Sequence, residues 1–379
     1  MLSVWLSIGL ASAEIPESAW RSVESQFHQQ QIYDQEFIQQ SLKQACKDGH
    51  KLSCQWSKKY SKLKGDDLQQ WFQSQCTEKT DSLACTVEGW RLSQLTSAPG
   101  MPHKNAEDWE QALTLFASVC ETEARGCVEL GRLELADSRS SIQAQGAKRF
   151  KDACDQGDQE GCYSQAILLA DGVMSQPDPT TAKALLTKGC EQAHAKSCTQ
   201  LGLLSLAEAT NAQTAAIATD FYEKGCSLLS VEGCFGWAQH LEQGIGSDIN
   251  VPQAAGLYEK GCLNYHPESC DKLGILYSEG RGVQTNRDKA TSLFTQGCTG
   301  GNPFSCYNLA AVHEQDGDLG QALTHLSRSC ALGSGRGCFT YGLWLEQAKG
   351  TQMDLDKGLN AYGKGCQLDY GQACVNGGI

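Results

Sequence analysis

The sequence predicts an all-α protein: an α/α superhelical solenoid of helix-turn-helix repeats of about 36 residues, stapled by disulfides. Three observations support this prediction. At 379 residues, the chain is longer than a single hydrophobic core of about 250–300 residues allows. It has only 8 prolines, together with many residues that favour helix over strand. Its 20 cysteines occur in close pairs at a nearly fixed interval.

The first thirteen residues read as a signal peptide. The stretch MLSVWLSIGLASA carries no charge, and Ala11-Ser12-Ala13 has the small-x-small pattern of a cleavage site. We therefore expect residues 1–13 to be removed before Glu14, and the protein to be exported to the periplasm or secreted. A buried N-terminal helix is the alternative reading. No stretch approaches the roughly 20 apolar residues of a transmembrane helix, so we expect no membrane span.

The cysteines predict a disulfide framework, because an even and large number in an exported chain is typical of one. The ten close pairs are Cys46/Cys54, Cys76/Cys85, Cys120/Cys127, Cys154/Cys162, Cys190/Cys198, Cys226/Cys234, Cys262/Cys270, Cys298/Cys306, Cys330/Cys338 and Cys366/Cys374. On one continuous helix, residues eight apart lie about 12 Å apart. A disulfide needs Cα atoms within roughly 7 Å, so the chain must turn back between the two cysteines of each pair.

The repeat is clearest around residues 262–298. After Cys270 a dense apolar stretch predicts one helix, which Gly280 ends. Ala290, Leu293 and Phe294 then follow the spacing of a second, amphipathic helix. A small residue stands four positions after the second cysteine in six repeats, which predicts close helix packing there. These residues are Ala166, Gly202, Ala238, Gly274, Ala310 and Gly342.

The spacing also predicts the organisation of the chain. From Cys154 the first cysteines recur every 36 residues as far as Cys298, whereas the earlier steps are irregular. We expect an N-terminal helical cap at 14–45, divergent repeats at 46–153 and regular repeats at 154–379.

Residues 273–283, LGILYSEGRGV, resemble the Sel1-like repeat (SLR), a relative of the tetratricopeptide repeat. With a cysteine pair in every repeat, the chain is similar to the secreted, cysteine-rich Hcp, or β-lactamase-like, branch of that family. The resemblance implies a right-handed superhelix of paired helices with a concave groove. It also implies an adaptor role in protein complexes or, as the alternative, an enzyme that binds or slowly hydrolyses penicillin-type β-lactams.

No catalytic constellation can be identified from the sequence. Ser61 and Lys64 formally fit the S-x-x-K motif of serine β-lactamases, but no K-T-G motif accompanies them. The 8 histidines form no H-E-x-x-H motif, and no C-x-x-C occurs, so we expect no metal and no cofactor. The net charge of −13 disfavours nucleic acid as a partner.

A binding surface is easier to propose than an active site. An aromatic residue follows the second cysteine of four pairs, namely Tyr163, Phe235, Tyr307 and Phe339. Such a row would line a groove for a protein or peptide ligand, or for a cell-wall component or β-lactam. The competing reading is that these rings belong to the core between repeats, and Thr199 and Asp271 interrupt the row.

Overall fold

The structure, a computed structural model, describes residues 106–378 apart from 138 and 173–175, together with a few single positions between 73 and 92. These residues form helices and no strands. Between residues 106 and 378 the sixteen helices are α1 (Ala106–Cys120), α2 (Ala124–Ala136), α3 (Ser140–Asp155), α4 (Gln159–Asp171), α5 (Pro179–Glu191), α6 (Ala195–Ala207), α7 (Ala212–Ser227), α8 (Val231–Gln243), α9 (Val251–Leu263), α10 (Pro267–Glu279), α11 (Arg287–Thr299), α12 (Pro303–Gln315), α13 (Leu319–Ala331), α14 (Gly335–Glu346), α15 (Leu355–Gln367) and α16 (Gly371–Gly377).

The predicted helical repeat fold is confirmed. In each repeat, a first helix carries the second cysteine of a pair, and a second helix ends at the first cysteine of the next pair. The chain divides into two compact units, with the boundary inside α5 after Leu185. We call them unit 1 and unit 2. The predicted signal peptide and the predicted cap at 14–45 lie outside the described residues.

Local sequence sets the ends of these helices. In α11 the side chain of Asn286 accepts a hydrogen bond of 2.9 Å from the backbone N–H of Lys289, which caps the first turn. Helix α10 ends at Gly280 with φ of +70°, the left-handed conformation that glycine adopts without steric cost. Within unit 2, consecutive helices pack against each other, and α10 and α14 each also contact the first helix α12.

The small residues predicted from the sequence lie where a large side chain of the second helix packs. A Cβ built on Gly274 would lie 2.6 Å from the ring of Phe294, and one built on Gly342 would lie 2.9 Å from the ring of Tyr362. Both rings are buried. The glycines are therefore required by steric fit within each repeat, because only they allow the ring to approach the backbone so closely.

Unit 1 contains a charged interior. Arg125, Glu129 and Glu160 are buried, and Arg132 is partly exposed. Glu129 lies 2.8 Å from Arg132 and 3.7 Å from Arg125, while Glu160 contacts Arg132 and lies 3.9 Å from Arg125. The guanidinium groups and carboxylates of α2 and α4 thus pair with each other, which is the condition for keeping such charges out of water.

None of the described helices is both long and apolar enough to cross a membrane.

Candidate binding surface

Nine of the ten predicted cysteine pairs lie among the described residues, and each is joined as a local disulfide. The nine bridges are Cys76–Cys85, Cys120–Cys127, Cys154–Cys162, Cys190–Cys198, Cys226–Cys234, Cys262–Cys270, Cys298–Cys306, Cys330–Cys338 and Cys366–Cys374. Their Cα–Cα distances run from 4.2 to 4.7 Å, within the reach of a disulfide. The tenth pair, Cys46 and Cys54, lies outside the described residues and stays a prediction.

The bridges occupy one place in the repeat. Each bridge whose helices are described connects the end of a second helix to the start of the next first helix, as Cys262 in α9 and Cys270 in α10 do. The second cysteine lies in the first turns of its helix and is buried in most repeats, as in Cys198, Cys306 and Cys338. A largely buried disulfide therefore joins the two ends of the turn between neighbouring repeats.

The three aromatic residues of unit 2 that follow a second cysteine contact the next repeat. The ring of Phe235 lies 4.9 Å from His266, the N-cap residue of α10. Phe339 lies 5.6 Å from Tyr370, the N-cap residue of α16. The guanidinium of Arg336 in α14 lies 4.7 Å from the ring centroid of Tyr307. Each ring packs at the start of the following first helix while remaining half-buried.

Thr199 and Asp271 interrupt the aromatic row. Like the rings, they contact the start of the following first helix, but through hydrogen bonds. The hydroxyl of Thr199 lies 3.0 Å from that of Ser230, the N-cap residue of α8. Asp271 accepts hydrogen bonds from Ser305 at 3.0 Å and Asn308 at 2.9 Å, both in α12. Burial raises the pKa of the Asp271 carboxyl. These five residues of unit 2 therefore join neighbouring repeats.

These contacts with the next repeat explain the position of the aromatic row, and ligand binding would be an additional role. Tyr163 lies in α4 of unit 1 and is half-buried like the unit 2 rings. A partly exposed ring can both hold two repeats together and present an edge to a partner. Ligand binding by Tyr163, Phe235, Tyr307 and Phe339 therefore stays a prediction.

A second row, which the sequence reasoning missed, shares the face of the first helices with these rings. It lies four residues further on, and residues four apart on a helix lie on one face. In unit 2 it consists of Leu203, Gln239, Ile275, Ala311 and Leu343. Leu203 is 49% exposed, and the other four are half-buried. The signal was available in the sequence, because four of these five residues are apolar and stand at one place in the repeat.

Unit 2 also buries a histidine that the sequence did not single out. Nδ1 of His240 lies 2.7 Å from the hydroxyl of Thr219, which donates to the carbonyl of Ile245 at 2.9 Å. Nε2 of His240 is buried without a hydrogen-bond partner. Burial lowers the pKa of this imidazole, which favours the neutral form. His240 and Thr219 are thus buried polar side chains in the interior of unit 2.

Two other histidines stack on each other in the same unit. The rings of His313 in α12 and His325 in α13 are nearly parallel, with centroids 5.1 Å apart. Burial and the neighbouring His313 lower the pKa of His325. Among the residues that the structure describes, no group of three or more potential ligands is placed to hold a metal ion. Ser61 and Lys64 lie outside that part of the chain.

Comparison with known proteins identifies the type of repeat. Residues 160–194, 231–266, 267–302 and 303–334 match the family model of the Sel1 repeat. These stretches are therefore Sel1 repeats, in agreement with the resemblance read from residues 273–283. The comparison with curated protein sequences gave no significant match.

Solved structures of related repeat proteins were compared with this chain. The Sel1 repeat protein from Oxalobacter formigenes is 15% identical, with a TM-score of 0.53 over 82% of this chain and 89% of its own. A protective antigen of uropathogenic Escherichia coli with an SLR fold is 21% identical, over 90% of this chain and 81% of its own, with a TM-score of 0.39. Cysteine rich protein B of Helicobacter pylori is 25% identical, over 37% of this chain and 94% of its own, with a TM-score of 0.27. The likeness to the Oxalobacter protein establishes the helical repeat fold.

Proposed function

We propose that this chain is an exported, non-catalytic binding protein that holds a protein or peptide partner on the first-helix face of unit 2. The observation that carries the proposal is the apolar row on that face. Leu203, Ile275 and Leu343 occupy one position of three different repeats and remain at least partly exposed. Apolar groups repeated at one site per repeat suit an extended partner that crosses several first helices.

The disulfides support the exported location. Nine bridges among the described residues are typical of a protein that works where cysteines are kept oxidised, such as the periplasm or the exterior of the cell. Residues 1–13 are the proposed export signal. The organisation into a cap, divergent repeats and regular repeats remains part of this proposal.

Site-specific photocrosslinking in the cells that produce the protein tests the binding face. A benzophenone amino acid would replace Leu203 in one variant and the exposed Glu259, on the second helix α9, in the control. We expect a discrete adduct with another protein at position 203 that is absent at position 259. Adding Ile275→Glu to the position 203 variant should abolish the adduct, because it places a charge on the same face.

Two results would contradict the proposal. One is equal crosslinking at positions 203 and 259, and the other is an adduct that Ile275→Glu leaves unchanged. The β-lactam alternative has its own test, since the oxidised protein either turns over a chromogenic cephalosporin above the buffer rate or does not. A cell-wall component is a further candidate ligand, and retention of the wild-type protein on peptidoglycan, lost in Ile275→Glu, would favour it over a protein.

A further inference from the structure

Three consecutive turns of unit 2 place bulky apolar side chains in solvent. The turns lie between the cysteines of the pairs at 226–234, 262–270 and 298–306. The exposed side chains are Leu229 (86% exposed), Leu263 (75%), Tyr265 (52%) and Phe304 (60%). We call these four residues the turn edge. Isolated exposed apolar residues are ordinary on a protein surface, but a set repeated in neighbouring turns is typical of an interaction site.

Two of these residues, Leu229 and Tyr265, have a left-handed backbone conformation that residues with large side chains rarely adopt. The third residue after the first cysteine has a positive φ in seven turns: Gly157, Ala193, Leu229, Tyr265, Gly301, Gly333 and Asp369. Glycine adopts this conformation freely, whereas Leu229 at +69° and Tyr265 at +57° strain the backbone. Leu229 gains little burial in return, and Tyr265 stays about half exposed. Since folding alone would favour glycine here, the bulky residues point to a role outside folding.

The turns hold these side chains in place. The disulfide Cys226–Cys234 closes one turn and Cys262–Cys270 the next. The backbone N–H groups of Leu229 and Tyr265 donate to the carbonyls of the first cysteines at 2.9 and 3.0 Å. A surface that is already ordered loses little conformational entropy when a partner binds.

The charge of the three turns indicates the kind of partner. They contain two exposed carboxylates, Glu232 and Glu268, and no lysine or arginine. Exposed Lys224 and Lys260 each stand two residues before a turn, and Arg328 donates to a carbonyl of the third turn at 3.4 Å. The whole chain carries a net charge of −13. A partner with lysine or arginine beside its apolar residues is complementary to this surface, whereas a second copy of the chain would be repelled by it.

The spacing of the turns indicates the shape of the partner. Helices α10 and α12, which follow the second and third turns, contact each other directly, and packed helices lie about 8–10 Å apart, so the turn edge advances by about 10 Å between these two turns. An α-helix advances by about 10.5 Å in seven residues. We propose that the turn edge binds an amphipathic helix of a partner protein, with apolar residues in heptad spacing and lysine or arginine beside them. The turn edge shares no residue with the two rows of the first-helix face, so substitutions in one surface test it without removing residues of the other.

Fluorescence anisotropy with the full, oxidised protein tests the proposal. The probe is a labelled peptide of about three heptads with leucine at the a and d positions and lysine beside them. Two control peptides have the same composition in scrambled order, or glutamate in place of lysine. The protein variant is Leu229→Gly combined with Tyr265→Gly, and the matched control is Met353→Ser, which removes another exposed apolar side chain.

We expect the leucine-lysine peptide to bind the wild type, and both control peptides to bind at least about tenfold more weakly. The double glycine variant should lose about tenfold or more in affinity, and Met353→Ser should lose none. The melting temperature of the glycine variant should not fall, because glycine suits the left-handed backbone. A loss of binding therefore cannot be attributed to unfolding.

Several outcomes would overturn the proposal. They are no detectable binding of the leucine-lysine peptide, equal binding of either control peptide, and an unchanged affinity in the double glycine variant. Sedimentation of the protein alone adds another: a wild-type dimer that becomes a monomer in the double glycine variant would identify a second copy as the occupant instead.

Discussion

Unit 1 and unit 2 place different environments around the same position of the repeat. Two residues before the second cysteine, unit 1 has Glu160, which is buried between the guanidinium groups of Arg125 and Arg132. At this position unit 2 has Glu232 and Glu268, which are exposed, and the position of Arg132 is occupied by residues such as Leu203 and Ile275. The comparison teaches that a buried charge at this position comes with compensating charges nearby, as Arg125 and Arg132 of the preceding repeat compensate Glu160.

Removing the carboxylate of Glu160 should have the largest effect. In Glu160→Ala, the buried Arg125 and the partly buried Arg132 each lose a carboxylate partner, so we expect a loss of about 3–5 kcal/mol in the free energy of unfolding. Hydrogen exchange followed by mass spectrometry should show faster exchange in α2 and α4. The matched control is Glu268→Ala, because Glu268 stands at the equivalent position of another repeat and is exposed. This substitution should change the free energy of unfolding by about 0.5 kcal/mol or less. Equal effects of the two variants would refute the comparison.

Unit 2 depends on steric fit, and Gly274→Ala tests that dependence. The added methyl group would lie 2.6 Å from the ring of Phe294, so overpacking should cost about 1–3 kcal/mol in urea denaturation. Gly256 is the control, because a Cβ there meets nothing within 4 Å. Gly256→Ala should stabilise the protein by about 0.5–1 kcal/mol through helix propensity. If both substitutions stabilise the protein, the ring does not pack as described.

A smaller effect is expected at His240, whose burial makes the stability of unit 2 depend on pH. Because burial lowers its pKa, the unfolded chain binds more protons than the folded one as the pH falls below about 6.5. Stability is therefore fully present above that pH and is lost as the pH decreases. His240→Leu should raise the free energy of unfolding by about 1 kcal/mol, because it removes the unpartnered Nε2 atom. The equivalent residue of the next repeat is the buried Leu276, so leucine is accepted at this position.

The same substitution should reduce the pH dependence of stability without abolishing it. Burial also lowers the pKa of His266 and of His325, and both contribute with the same sign. Urea denaturation between pH 5 and pH 8 (about the range in which histidine titrates) measures this slope. An identical slope in the wild type and in His240→Leu would show that His240 is not a source of acid sensitivity.

The sequence predicted those features that depend on residues close together in the chain. The cysteine spacing predicted the repeats and the turns between them, and the position of Gly280 predicted the end of α10. Features that join neighbouring repeats were harder to predict. Thr199 meets Ser230 and Asp271 meets Ser305, more than thirty residues away, and no periodic pattern of apolar residues specifies such contacts.

The burial of Glu160 and the backbone of Leu229 could not be predicted for a related reason. A glutamate before a cysteine has the same local sequence character in both units, and only its neighbours in space decide whether it is buried. Leucine is an unusual choice for a left-handed turn, so its propensity predicts the wrong conformation. For the candidate site, the sequence singled out the aromatic row, whose binding role stays a prediction, whereas it did not single out the second row or the turn edge.

Non-reducing peptide mapping by mass spectrometry tests the central claim most directly, namely that each repeat is joined to the next by a disulfide across their turn. The account predicts that every bridge joins cysteines 7 to 9 residues apart, as in the nine described pairs, and that Cys46 pairs with Cys54. Bridges between cysteines of different turns, or free thiols at these positions in the exported protein, would contradict it.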